Sequence, residues 1–227
     1  MFTEKPDSGQ FKQEIKRRGI TRLIHFTPTI NLLGIYEYGF LYSRKELEDL
    51  DINMTDILDY IQFNDQIRYD NKNYINLSIE RPNSYLFRRF IDNTKDIPYI
   101  YWCVLSIDPK YIYEQGTLFS VTNAANRHNQ KVVGITGDLN KFKMMFEDRL
   151  TVVSSRKTMV IDRIDLPDAY TTHEQAEVLV NLPIPVADII AVSFPTQEQL
   201  VKAKVALSGY DCSRFRIECG LFRSVKC

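Results

Sequence analysis

The sequence predicts an α+β protein, and three observations carry that expectation. Short apolar segments of strand length are interspersed with helical patterns that cluster unevenly, without the regular strand–helix alternation of a parallel sheet. The 227 residues contain no repeat, no low-complexity tract and no Pro/Gly/Ser-rich linker, so a single domain over 1–227 is expected. The composition is that of a globular chain, 44% apolar and 26% charged, with nine Gly and nine Pro. That is too little Gly and Pro for a disordered or fibrous chain.

Taken in order, Phe11–Arg18 is a short basic helix stopped by Gly19. Arg22–Phe26 reads as a strand with His25 near its end. Thr27-Pro28 has the form of a helix start, a capping hydroxyl before proline, for a helix through Asn31, Leu33 and Tyr36 that ends at Gly39. Ser43-Arg-Lys-Glu46 is a capping box opening another helix. Residues 51–74 are acidic and rich in Asn and Asp, the pattern of a long surface loop, and long loops in compact domains are more often functional than idle. A strand over Tyr74–Ile79, a helix over Asn83–Phe90 and a central aromatic strand over Tyr99–Ile107 follow. Asp138–Phe146 is helical by pattern. Thr171–Val180 places polar residues directly before an apolar run, a loop feeding a buried strand. Asp188–Phe194 is a further strand. Thr196 and Gln199 cap a helix that ends near Ser208-Gly209, and Phe215–Cys219 is a last strand.

Charge narrows the function classes. Lys+Arg and Asp+Glu both number 29, so the chain has no overall field with which to coat duplex nucleic acid. Local basic groups remain at Lys12–Arg22, at Arg81, Arg88 and Arg89, and in the tail, and they fit either a short single strand or a solvated surface. Thirteen Tyr and thirteen Phe suit a heavy core or base-stacking surfaces. The four cysteines show no C-x-x-C spacing, and with three histidines no zinc site is expected. Cys103, inside an apolar run, reads as a buried thiol. The polar N-terminus lacks a signal-peptide pattern and no run approaches membrane-spanning length. A soluble cytoplasmic protein of a reducing compartment, with no membrane contact, is expected.

No dinucleotide fingerprint, P-loop, nucleophile elbow or HExxH pair is present. What remains is dispersed: His25 at a strand end, Arg68 in the acidic loop, Ser78 in a strand, and Glu177 two residues after Gln175. On an extended backbone Gln175 and Glu177 would share a face, where a carboxylate beside an amide can hold a sugar hydroxyl and a growing positive charge. Each residue has a plainer reading: a hydrogen-bonded core histidine, a surface ion pair of Arg68 with Asp65 or Asp70, a solvated serine, a solvated strand start.

Five stretches in order carry a resemblance. Leu23-Ile-His25-Phe-Thr27-Pro-x-x-Asn31-Leu, Asn64-Asp-x-x-Arg68-x-Asp70, Leu77-Ser78-Ile-x-x-Pro82-Asn83, Asn123-Ala-Ala and Gln175-Ala-Glu177-Val-Leu-Val resemble the DarT family of NAD-dependent DNA ADP-ribosyltransferase toxins, from about residue 20 to residue 195. The resemblance implies an ADP-ribosyltransferase-like fold, two small sheets packed at an angle around an NAD cleft, with peripheral helices. It implies NAD as co-substrate, seated by His25, Thr27, Asn31, Arg68 and Ser78. Glu177 and Arg68 become the catalytic pair and Gln175 a substrate contact, with Arg88 and Arg127 expected as further substrate contacts from their charge. His173 and Glu174 are then expected to be loop surface. The histidine in the first strand departs from the Arg-Ser-Glu pattern of more distant ADP-ribosylating toxins.

The chemistry suits these residue types. Nicotinamide leaves through a transition state with oxocarbenium character, which a fixed carboxylate stabilises, and Glu177 can also take a proton from an attacking base nitrogen when closely positioned. A reachable base implies single-stranded DNA, with the Arg81–Arg89 segment and the loop of Arg127 and Lys131 as its grip. The first two stretches look more like the guanosine-modifying branch than the thymidine-modifying one, so guanine is expected as acceptor with thymine second. A monomer is expected, and the resemblance further implies a macrodomain antitoxin as its opposing partner. The alternatives are transfer to protein or RNA, and a non-catalytic nucleic-acid-binding module with the same fold.

Overall fold

The computed structural model describes residues 1–52, 72–154 and 157–222. Arg68 and the rest of the Asn64–Asp70 stretch lie outside the described residues. In order, the elements are α1 (Ser8–Arg18), β1 (Leu23–Pro28), α2 (Asn31–Tyr38), β2 (Phe40–Leu41), α3 (Arg44–Asp49), β3 (Ile75–Ile79), α4 (Ser84–Thr94), β4 (Trp102–Ile107), β5 (Leu118–Ser120), α5 (Leu139–Met144), β6 (Arg149–Val153), β7 (Thr158–Asp162), β8 (Glu177–Val180), β9 (Ile184–Pro185), β10 (Ile189–Phe194), α6 (Gln197–Ala206) and β11 (Phe215–Ile217). The mixed α+β class is as expected.

Seven strands form one hydrogen-bonded order, β11-β10-β4-β1-β3-β8-β5. The two expected sheets are its two parts, joined at β3. The C-terminal end of β3 pairs with β1, Leu23 opposite Ile79 and Ile24 opposite Ser78. Its N-terminal end pairs with β8, Ile75 opposite Val180 and Leu77 opposite Val178. β1 meanwhile stays paired with β4 from Leu23 to Pro28. From His25 onward β1 therefore has a strand on one edge only, and a gap opens between it and β3.

Local chemistry explains most element boundaries. Gly19 and Gly39 close α1 and α2 in the left-handed region, at φ 68° and 77°, which glycine adopts without steric cost. Ser43 and Glu46 form the expected capping box on α3. Asn83 caps α4 by accepting the Leu86 N–H. On α4 the buried residues Phe87, Phe90 and Thr94 recur on one helical face, and the two phenylalanines pack with Ile24, Trp102 and Val104 of the sheet. The Trp102 indole donates to Thr94 Oγ1 at 2.9 Å. A larger core, with Leu23, Cys103, Leu105, Phe119 and Phe142, gathers α1, α5 and α6. Burial pushes the Cys103 thiol up to about 12, as a structural cysteine requires.

β4 and β11 are shorter than expected, and one boundary changes the kind of element. Thr27-Pro28 does not start a helix; it ends β1, and α2 begins at Asn31. Pro28 lies opposite Trp102 of β4, on the stretch of β1 that β3 has left, so its missing N–H costs no bond on that side. Strand pairing overrides the local capping signal.

Candidate functional site

The strand registers gather the carboxylate and hydroxyl residues into one row. Ser120 on β5 lies opposite Glu177 on β8. Continuing the β3–β8 register one step past Leu77–Val178 sets Ser78 beside Glu177, and Ser78 lies opposite Ile24. Ser78 is thus the residue at which β3 passes from one partner strand to the other. The row is buried: Ser78 is 8% exposed, Glu177 7% and Ser120 0%.

Glu177 is held from outside its strand. The backbone N–H of Ala124 donates to its Oε2 at 2.6 Å, a charge-assisted bond that fixes the carboxylate's direction. That gives the Asn123-Ala-Ala stretch a physical role. Its loop is cross-braced in turn: Asn123 Oδ1 accepts the Ala125 N–H at 2.8 Å, Gln130 Nε2 donates to the Ala124 carbonyl at 2.6 Å, and Asn129 Nδ2 donates to Ser120 Oγ at 2.7 Å.

The turn that delivers β8 is built around His173. Its Nδ1 accepts the backbone N–H of Gln175 at 3.2 Å, so this nitrogen carries no proton and Thr122 Oγ1, also at 3.2 Å, is its second donor. Burial first, and the Arg81 charge second, push the imidazole down to about 4, so it is neutral near pH 7. His173 is 6% exposed and is not loop surface as expected. Glu174 is half-buried and accepts from the Ser84 hydroxyl of α4. The partners that bury them, Thr122 and Ser84, come from 51 and 90 residues away in sequence, where no local pattern reports them. Gln175 also differs: it sits in the turn, and β8 begins at Glu177, so the two do not share a strand face.

His25 occupies the strand gap. It is half-buried, and its Nδ1 lies 3.2 Å from the Asn76 carbonyl of β3. A carbonyl only accepts, so Nδ1 carries the proton and Nε2 is the basic nitrogen. Burial lowers its pKa below the ordinary histidine value, partly offset by the Asn76 bond. Two residues on, Thr27 Oγ1 accepts from Asn31 Nδ2 at 3.0 Å, tying the end of β1 to the head of α2. Thr27 and Asn31 are 5% and 8% exposed.

The expected basic grips separate into two kinds. Arg88 and Arg127 are exposed. Arg81 is 6% exposed, donates to the Thr171 carbonyl at 3.3 Å and lies 4.9 Å over the Tyr170 ring, so it is part of the wall and not a surface grip. The N-terminal cluster is largely self-neutralised. Arg17 and Arg18 both bind Glu14 at 2.7 Å, and the Arg17 hydrogen bond leads the causes that hold that carboxyl at about 2. Arg22 binds Glu218 at 3.0 Å.

A protein-family model described as DarT, ssDNA thymidine ADP-ribosyltransferase, matches residues 24–220. Among solved structures, Thermus sp. 2.9 DarT in complex with carba-NAD+ is similar at a TM-score of 0.57 and 16% identity, over 88% of this chain and 97% of that one. The same protein with ADP-ribosylated ssDNA gives 0.55 and 14%, over 97% and 99%. Thermosipho africanus DarTG in complex with ADP-ribose gives 0.52 and 17%, over 89% of this chain and 51% of that one. At these identities the structural likeness carries the fold. No curated protein matches the chain.

Proposed function

The chain belongs to the DarT family of single-stranded-DNA thymidine ADP-ribosyltransferases, and from that premise we propose that it transfers ADP-ribose from NAD to a nucleobase of single-stranded DNA and releases nicotinamide. The observation that carries the assignment is the Glu177 carboxylate, buried at the head of β8 and aimed by the Ala124 N–H at 2.6 Å. A fixed carboxylate in a site of low dielectric is what an oxocarbenium-like transition state requires. Related Thermus DarT structures hold carba-NAD+, NAD+ and ADP-ribosylated ssDNA, which supports NAD as the donor here.

The donor set fits that dinucleotide. His25 Nε2, the hydroxyl and amide of Thr27 and Asn31, and the edge of β1 that β3 has left supply mixed donors and acceptors for a carboxamide and ribose hydroxyls. Ser78 reaches the same row as Glu177. In the transfer step the bond from the ribose carbon to nicotinamide breaks and a bond to the acceptor base nitrogen forms. Glu177 stabilises the intervening positive charge and takes the proton that the nitrogen gives up. Arg68, outside the described residues, keeps the proposed role of a permanent cation for pyrophosphate or base. Gln175, in the turn before Glu177, faces the acceptor, and Arg88 and Arg127 steady the strand.

The acceptor base is the finer question. The family description names thymidine, whereas the His25-Phe-Thr-Pro and Asn64–Asp70 stretches resemble the guanosine-modifying branch. Incubating the protein with NAD and single-stranded oligonucleotides that differ at one base, then weighing the products, separates the two. One ADP-ribose of added mass on a thymine- or guanine-containing strand is the expected result. Folded protein that adds no mass to any strand would overturn the assignment. A macrodomain that removes the modification is the proposed opposing partner.

A further inference from the structure

Past Ser78, away from the strand gap, β3 ends and the chain runs through Glu80, Arg81 and Pro82 into α4. A cavity of about 680 Å³ lies there, between α4 and the segment that follows β11, within the size range of built ligand sites. Its floor is apolar, with Phe87, Ile91, Leu221 and Phe222. Its lining also includes three guanidiniums, Arg22, Arg81 and Arg88, and the carboxylates of Asp92 and Glu218.

These charges are committed to different degrees. Glu218 accepts from Arg22 at 3.0 and 3.2 Å and from Arg216 at 2.9 Å. Arg81 is tied to Thr171. Arg88 is exposed on α4 and, among the described residues, forms no ion pair. Apolar side chains beside an exposed guanidinium suit a nucleotide, whose base offers flat apolar faces and whose phosphate seeks a guanidinium.

The cavity also touches the turn that presents Glu177. Arg81 bonds the Thr171 carbonyl and Ser84 bonds Glu174, and both Arg81 and Ser84 line the cavity. Building on the DNA-modifying role above, we propose that this cavity is a subsite for a nucleotide of the single strand next to the target base, its phosphate on Arg88 and its base against the Ile91–Phe222 floor. NAD and DNA then approach Glu177 from opposite ends of β3: the dinucleotide from the gap beside His25, the strand from the Arg81 end.

The test is steady-state transfer from NAD to a short single-stranded oligonucleotide carrying all four bases, with KM measured separately for each substrate over a salt series. Arg88→Glu raises the oligonucleotide KM about tenfold and leaves the NAD KM and melting temperature unchanged. Arg88→Ala reduces the slope of log affinity against log salt by about 0.7, the value for one lost phosphate contact on a single strand. Ile91→Trp, which fills the floor, raises the oligonucleotide KM while sparing that for NAD. Wild-type oligonucleotide KM and salt slope in all three variants would overturn the subsite and leave the DNA-modifying role standing. Should the wild type modify no oligonucleotide, that role fails, and fluorescence anisotropy with the same labelled strand decides the cavity alone. Weaker binding by Arg88→Glu supports it there and equal binding overturns it.

Discussion

The two walls that flank the catalytic row are braced differently. The Glu177 wall is cross-linked by side chains from distant segments: Ala124 to Glu177, Thr122 to His173 and Arg81 to Thr171. Among the described residues the His25 wall shows a local side-chain tie, Asn31 to Thr27 four residues apart, a bond across the gap from His25 to Asn76, and a weak thiol contact from Cys103 to the Thr27 carbonyl. A carboxylate that must meet a transient charge needs a fixed position, because misplacement forfeits stabilisation that depends on preorganisation. A wall that admits and releases a dinucleotide has less need of such bracing. The difference predicts that changes in the first wall disturb rate and stability, whereas changes in the second disturb NAD affinity.

The largest expected effect is at Glu177. Glu177→Gln keeps an oxygen for the Ala124 N–H and removes the charge, so the transfer rate in single-turnover experiments should fall on the order of a thousandfold. The melting temperature and NAD binding should hold near wild type. A comparable fall in NAD affinity would mean that Glu177 acts mainly in ground-state binding.

His173 sharpens the comparison through pH. In the native protein its imidazole stays neutral down to about 4, whereas in the unfolded chain it takes a proton near the ordinary value of about 6.5. Between those values the unfolded state binds more protons, so the contribution is fully present above about pH 6.5 and is lost on acidification toward pH 4. The total is on the order of 3 kcal/mol. Denaturant melts from about pH 7 to about pH 5 should show the wild type losing roughly 2 kcal/mol more than His173→Asn. His25, also lowered by burial, contributes alike to both proteins and cancels. Equal losses in the two proteins would show that His173 titrates normally.

The fold was largely legible because its signals are local. Glycine stops, the Ser43 capping box, the Asn83 cap and the aromatic run of β4 each announce themselves within a few residues. The site was legible in part. Glu177, His25 and Ser78 stand out by type and by family resemblance, but what holds them does not. Thr171–Glu174 reads as a solvated loop because the partners that bury it, Thr122, Ser84 and Arg81, lie far away in sequence. Folding brings them Thr122, Ser84 and Arg81, turning a polar stretch into a buried network. The same gap hides the pairing of Arg22, since its partner Glu218 lies 196 residues away. The β6–β7 hairpin, with Leu150 opposite Ile161, carries no turn signal strong enough to be placed from sequence.

The second wall yields a smaller effect at Asn31. Asn31→Ala removes the bond to Thr27 and loosens the junction of β1 and α2, costing about 1 kcal/mol of interaction, equivalent to a rise in the NAD KM of roughly fivefold. The oligonucleotide KM should not move. If it rose by the same factor, the two substrates would share this wall and the division between them would fail.

Arg127 should give the smallest effect and the cleanest one. It is exposed on the loop that carries Ala124, so its truncation removes a charge without touching the bonds that aim Glu177. Stability should stay within about 0.5 kcal/mol of wild type, and the oligonucleotide KM should rise about two- to threefold, less as salt is added. A drop in the transfer rate at saturating oligonucleotide would place Arg127 in the machinery that positions Glu177. The braced wall would then extend to the protein surface, and strand binding and carboxylate alignment would be one function of one loop.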